Sequence, residues 1–260
     1  MIDQSARDTL KGWLEDYIRG FVMPDPDRQR NIDLKNEHTA GVCEAILDVG
    51  ASLGLNESDL RLAEITAMFH DVGRFEQYRQ YGTFVDRKSV NHAMLGVRIL
   101  GKLDVLKNLD RTSVRTILTA IANHNRFRIS DAMTGRNRLF SKLLRDADKI
   151  DIYRVMMQYY QEKSAGVTND TVEMDLPPEP GMSADMCRDI LAGRIAKTGD
   201  MRNQNDFRLL QLGWVYDINF QRSREIILEK KYVDRIISGL PHTDTVRKIR
   251  EKIIRYLHQP

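Results

Sequence analysis

The sequence predicts an all-α protein. Three observations carry that expectation. Apolar residues recur at spacings of three and four along nearly the whole 260-residue chain, which is the period of an amphipathic helix. No pair of segments shows the strict alternation of half-buried strands. The chain has only seven prolines, and three of them, Pro177, Pro178 and Pro180, sit together in one polar stretch, leaving the periodic segments uninterrupted.

Taken in order, the periodicity places helices at about residues 7–22, 36–53, 58–71, 89–101, 111–124 and 137–162. In the second, His38 heads a stripe continued by Val42, Ala45, Ile46 and Val49, at offsets of 4, 7, 8 and 11. The third, from Leu60 to Phe69, is apolar on most sides, as a buried central helix would be, and it ends in His70-Asp71. The segment Tyr78–Lys88 then joins that doublet to the next helix, with aromatics expected to pack the connection. His92 leads Leu95, Gly96 and Ile99, while His124 closes a helix on the face of Ile117, Ala120 and Ile121. Asp148 shares its face with Leu144, Ile152 and Val155. Gly166–Gly181, with Asp175-Leu176-Pro177-Pro178-Glu179-Pro180, reads as a loop or flap because consecutive prolines cannot continue a helix. Helices resume at about 183–196, 205–238 with a break, and 243–258 after Gly239-Leu240-Pro241. Phe207, Leu210, Trp214 and Ile218 form a stripe read as core. The reading is one helical domain over residues 1–260.

Composition narrows the function. At 42% hydrophobic and 30% charged the chain has the balance of a soluble protein, and no run of about 18 uncharged apolar residues would cross a membrane. The N-terminal twenty residues are charged throughout and lack the apolar centre of a signal peptide. Cys43 and Cys187 have no CxxC partner and read as small packing residues in a reducing, cytoplasmic setting. A net charge of +3 with acids and bases interleaved gives no warrant for a nucleic-acid-binding protein, while leaving room for a locally basic pocket.

Four of the six histidines, His38, His70, His92 and His124, point inward on their stripes together with Asp71 and Asp148. A lone buried carboxylate costs several kcal/mol or shifts its pKa until it is neutral. Several inward imidazoles cannot all be charged beside one another. A divalent cation resolves both problems, because neutral imidazole and carboxylate are its natural ligands. Successive helical residues lie about 100° apart, so an adjacent His and Asp at a helix end can both reach one centre. His242 and His258 have no companion acids and read as surface residues. With no cysteine in the set, a structural zinc site is not indicated.

These residues resemble the HD-domain superfamily of metal-dependent phosphohydrolases, whose pattern is H…HD…D on a helical bundle. The match is His38 in EHTAGV, His70-Asp71 in AMFHDVGRFEQY and Asp148 in LLRDADKIDIY, over about residues 34–155. The helices after about residue 183 form a C-terminal extension with no motif. The resemblance implies that His38, His70, Asp71 and Asp148 bind a first metal. The order H…HD…H…H…D is similar to the two-metal branches, which implies that His92 and His124 bind a second ion with Asp71 bridging. The alternative is that these two histidines contact substrate phosphate and one metal is held. One or two divalent ions are therefore implied, Mn, Fe, Co, Ni or Zn, with no choice among them.

The departures exclude some branches. Asn123-His124-Asn125, with no later GYP, is unlike the cyclic-di-GMP enzymes. Gly73-Arg74-Phe75-Glu76 lacks the acidic pair of the (p)ppGpp hydrolases. The expected activity is hydrolysis of a small phosphomonoester or phosphodiester, possibly a nucleotide, by water whose pKa a metal lowers toward about 7. Asp71 would orient that water or act as base. Arg74, one turn after the doublet, Arg126 and Arg128 after His124, and Arg145 before Asp148 are the candidate phosphate-binding cations. Two other readings share the ligand set: a nucleotide-binding module without turnover, and the di-iron oxygenase branch of the superfamily.

Overall fold

The computed structural model describes residues 2–259. Among them no strand occurs, and helices carry the whole architecture. The chain divides into two compact units, one ending at Asp151 and the other beginning at Ile152.

In the first unit, α1 (Gln4–Arg19) packs on α3 (Glu57–Phe69), which also packs on α2 (Pro26–Ser52) and α6 (Arg111–His124). α4 (Val72–Tyr81) lies against α5 (His92–Lys102), and α5 against α6. α7 (Gly135–Ser164) supplies Phe140, Leu143, Leu144 and Ala147 to the core before the unit ends. As its composition predicted, α3 is central: Leu62, Ala63, Ile65 and Phe69 are all fully buried. The starts of α2, α3, α5 and α6 are capped by side chains. Asp25 accepts from Asp27 N and Arg28 N ahead of Pro26 in the first turn, Asn56 caps α3, Asn91 caps α5 and Asp110 caps α6.

Two elements differ from the sequence expectation. α2 begins ten residues earlier than the hydrophobic stripe does, at Pro26 rather than 36, because the Asp25-Pro26 start signal lies in a polar stretch. α4 replaces the start of what read as a connection. It is polar on average, yet Phe75 and Tyr78 bury themselves with Phe21 and Ile32, and Gly82 ends it in the left-handed region at φ 65°. Tyr78 therefore does pack, as expected.

The second unit contains the remainder of α7, then α8 (Ala184–Leu191), α9 (Gln204–Gly213), α10 (Gln221–Glu229), α11 (Tyr232–Ile237) and α12 (Asp244–Leu257). The 166–181 segment is irregular, as its prolines dictate, and is tied down by Glu173, which accepts from Tyr159 Oη at 2.7 Å and from Lys163 and Gln204. Phe207, Leu210 and Ile218 are buried, and His242 and His258 are exposed. No helix among the described residues is long and apolar enough to cross a membrane.

Candidate metal centre

Five elements of the first unit deliver the inward polar residues to one place. α2 brings His38, the end of α3 brings His70 and Asp71, α5 opens with His92, α6 closes with His124 and α7 carries Asp148. His70 is fully buried, and His38, Asp71, His92 and His124 are nearly so.

Asp71 sits at the middle, and its two oxygens face different partners. Oδ2 lies 3.9 Å from His38 Nε2 and 3.6 Å from His70 Nε2. Oδ1 lies 3.4 Å from His92 Nε2 and 3.6 Å from His124 Nε2. Donor atoms of His38, His70 and Asp71 form one group able to share an ion, and those of Asp71, His92 and His124 form another. Asp148 joins the first side, with Oδ1 3.2 Å from His38 Nε2 and 3.8 Å from His70 Nε2.

Every imidazole is oriented from behind. His38 Nδ1 donates to Asp151 Oδ2 at 2.7 Å, His70 Nδ1 to the Ala67 carbonyl at 2.7 Å and His124 Nδ1 to the Ile121 carbonyl at 2.7 Å. His92 Nδ1 faces both oxygens of Asp86 at 2.8 Å. Carbonyls and carboxylates only accept, so each ring carries its proton on Nδ1 and turns the Nε2 lone pair inward, as metal-ligating histidines do. The consequence is a test of fit. His92 Nε2 and His124 Nε2 stand 2.9 Å apart, and His38 Nε2 and His70 Nε2 stand 3.4 Å apart. Two facing lone pairs at that range repel unless a cation or a proton lies between them. The donor set therefore fits a divalent ion on each side of Asp71.

Electrostatics agree. Burial pushes the His70 pKa down to about 4 and, with help from Arg74, that of His92 down to about 3, so both rings are neutral ligands near pH 7. Burial also opposes charge on His38, but Asp148 and Asp151 outweigh it and raise its pKa. Burial works against ionised Asp71, yet Lys35 and the surrounding histidines hold its carboxyl well below the ordinary range. Asp148 is likewise lowered against its burial, by His38 and its neighbours.

Two glycines make the approach possible. Gly73, two residues after the doublet, lies so close to α5 that a Cβ there would meet the His92 carbonyl and sit 2.7 Å from Gly96 N. Gly41, one turn after His38, leaves the space that the Asp151 carboxylate occupies.

The four candidate phosphate-binding arginines separate. Arg74 Nε is 3.6 Å from Asp71 Oδ1, buried and without a hydrogen-bond acceptor, while its Nη1 donates to Gln77 at 2.8 Å, to Asp86 at 3.0 Å and to the Phe84 carbonyl. Arg126 and Arg128 are exposed on the turn after α6, where Arg128 lies over the Phe127 ring at 5.6 Å. Arg145 corrects the expectation. Its guanidinium is buried, and Nη1 donates to the carbonyls of Asn123 at 3.1 Å, His124 at 3.0 Å and Arg126. Those acceptors lie at the C-terminal end of α6 and in the turn after it, so the side chain holds His124 and that turn in place rather than facing a phosphate.

Sequence reasoning missed Lys35, Asp86 and Asp151. Lys35 Nζ reaches Asp71 Oδ2 at 2.9 Å, and Asp86 also accepts from Asn125 at 3.1 Å and from buried Gln77 at 2.9 Å. Lys35 stands three residues before His38 on α2, and Asp151 three after Asp148 on α7, each on the same helix face as a candidate ligand of its own helix. That spacing is a usable signal. Asp86 has no comparable mark, because it comes from a loop.

Against known proteins, the HD domain family profile matches residues 36–155, a little under half of the chain. No curated protein and no solved structure matches it. The matched stretch contains His38, His70-Asp71, His92, His124 and Asp148, the residues that the folded chain gathers around Asp71. The likeness to the HD domain family is carried by residues 36–155.

Proposed function

We propose that this protein is a metal-dependent phosphohydrolase acting on a small phosphomonoester or phosphodiester, nucleotides being among the candidate substrates. The observation that carries the reading is the Asp71 carboxylate, one oxygen turned to His38 and His70 and the other to His92 and His124. His38, His70, Asp148 and Asp71 Oδ2 would hold one ion, and Asp71 Oδ1, His92 and His124 a second. Bound there, divalent ions polarise a phosphoryl oxygen and lower the pKa of water toward about 7.

The chain's own residues supply the rest. Asp71, kept ionised, fixes the separation of the two sides. Asp86, Asp151 and the Ala67 and Ile121 carbonyls hold the ring protons at Nδ1. Arg74 Nε, buried and lacking an acceptor, is placed to receive a phosphoryl oxygen, and Lys35 adds a second positive charge beside the same carboxylate. Arg126 and Arg128 are held in reserve as contacts for a distal part of the substrate.

The test is metal analysis of anaerobically purified protein, followed by a panel of nucleotides and generic phosphoesters with Mn²⁺, Fe²⁺ or Ni²⁺. About two ions per chain and hydrolysis of a phosphoester are expected. Tight nucleotide binding without turnover under every metal would replace the enzyme with a binding module. Oxygen consumption on an organic substrate would move the protein to the oxygenase branch.

A further inference from the structure

A second cavity, of about 480 Å³, opens between the first turns of α6 and the segment that enters α7. Its lining includes Thr112, Thr119 and Thr134 together with Arg115, Arg136 and Asn137. Its lining contains no Asp or Glu. Two basic residues, Arg115 and Arg136, therefore face no acid within the lining itself. Arg136 is paired with Asp59 and lies over the Phe140 ring at 5.3 Å, which fixes its position. Arg115 is different: it is exposed, and its side chain makes no ion pair or hydrogen bond among the described residues. Asn137 accepts from Thr116 at 3.1 Å through Oδ1, which fixes its amide.

We propose that this cavity binds a small phosphorylated anion, separately from the metal centre. A cavity of this size has room for a phosphate ester with an organic body, since small-molecule sites run from about 300 to 1,000 Å³. A phosphate presents several acceptor oxygens, and the walls present hydroxyls and a free planar guanidinium able to donate to two of them at once. The location gives the site a consequence. α6 ends at His124 and α7 carries Asp148, so a ligand that bridges Thr112 or Arg115 to Thr134 or Asn137 ties together the two helices that feed opposite sides of Asp71.

Titration of inorganic phosphate into the full-length, metal-loaded protein by calorimetry, with the melting temperature followed in parallel, tests this. Saturable binding is expected to survive Asp71→Asn, which disables the metal centre, and to weaken by about tenfold or more in Arg115→Glu, with a smaller loss in Thr119→Val. Phosphate should raise the melting temperature of the native chain and not that of Arg115→Glu. Arg115 is exposed, so a properly melting Arg115→Glu protein is expected and its metal content should equal that of the native chain. Binding that disappears in Asp71→Asn but is unchanged in Arg115→Glu would overturn the proposal, as would no saturable binding in the native chain.

Discussion

The two sides of Asp71 are built from like parts and are stabilised differently when no ion is bound. On the His38 and His70 side, Lys35 Nζ sits 2.9 Å from Asp71 Oδ2, and Asp148 lies 3.2 Å from His38 Nε2, where a proton on the raised-pKa imidazole can join them. That side has a built-in substitute for a cation. On the His92 and His124 side, two Nε2 lone pairs face each other at 2.9 Å, and the carboxylate in front of them is the shared one, Asp86 standing behind His92 at Nδ1. It has no substitute. The difference teaches that extra negative charge gives the first side a strong pull on a metal, while its own lysine competes for the place. The second side gains more in relief of repulsion than in charge.

The largest effect should come from Asp71, which belongs to both sides. Asp71→Asn is expected to abolish phosphoester hydrolysis and to empty both sides, as read by metal analysis; retention of a full complement of ions would break the two-sided description. Next is Lys35→Met. Removing the ammonium takes away the nearest positive charge of a buried carboxylate and leaves it the longer contact to Arg74, which should destabilise the metal-free protein by about 3 kcal/mol in urea unfolding. Added Mn²⁺ should recover most of that loss, and a Lys35→Met protein indifferent to metal would remove the substitute-cation argument. His124→Ala should empty the second side alone, leaving about one ion per chain.

Much of this was legible in the sequence. Inward stripes under His38, His124 and Asp148 placed their side chains correctly, because a 3.6-residue period converts position into direction. What the period cannot show is which side chain stands behind a ligand. Asp151 lies one turn from Asp148 and Lys35 one turn from His38, so both were within reach of the same argument. Asp86 was not, because it reaches His92 from a single 3-10 turn, Asp86–Lys88, that follows α4, a helix too polar on average to announce itself. Arg145 looked like a phosphate contact from spacing alone. Its use emerges only when the carbonyls at the end of α6 arrive beside it.

Two finer comparisons follow. Asp86→Asn and Asp151→Asn each release one imidazole, His92 or His38, and each should weaken its own side by about 10–100-fold in metal affinity while sparing the other. Stepwise chelation of the two variants reads that split, and equal losses on both sides in either variant would show that the sides are not separable. Arg145→Met acts on stability instead, with a loss of about 2–3 kcal/mol expected in urea unfolding, since several carbonyls lose a charged donor at once. Its metal loss should be confined to the His124 side.

Gly73 sets a tolerance for the whole centre. The backbones of α4 and α5 touch there because one position carries a hydrogen where every other amino acid carries a carbon. Alanine would act as a shim, driving His92 outward from Asp71 before any ligand had been changed. The gauge of the metal pocket is thus cut by an atom that is missing, and a substitution adding a single methyl group is enough to put every part out of true.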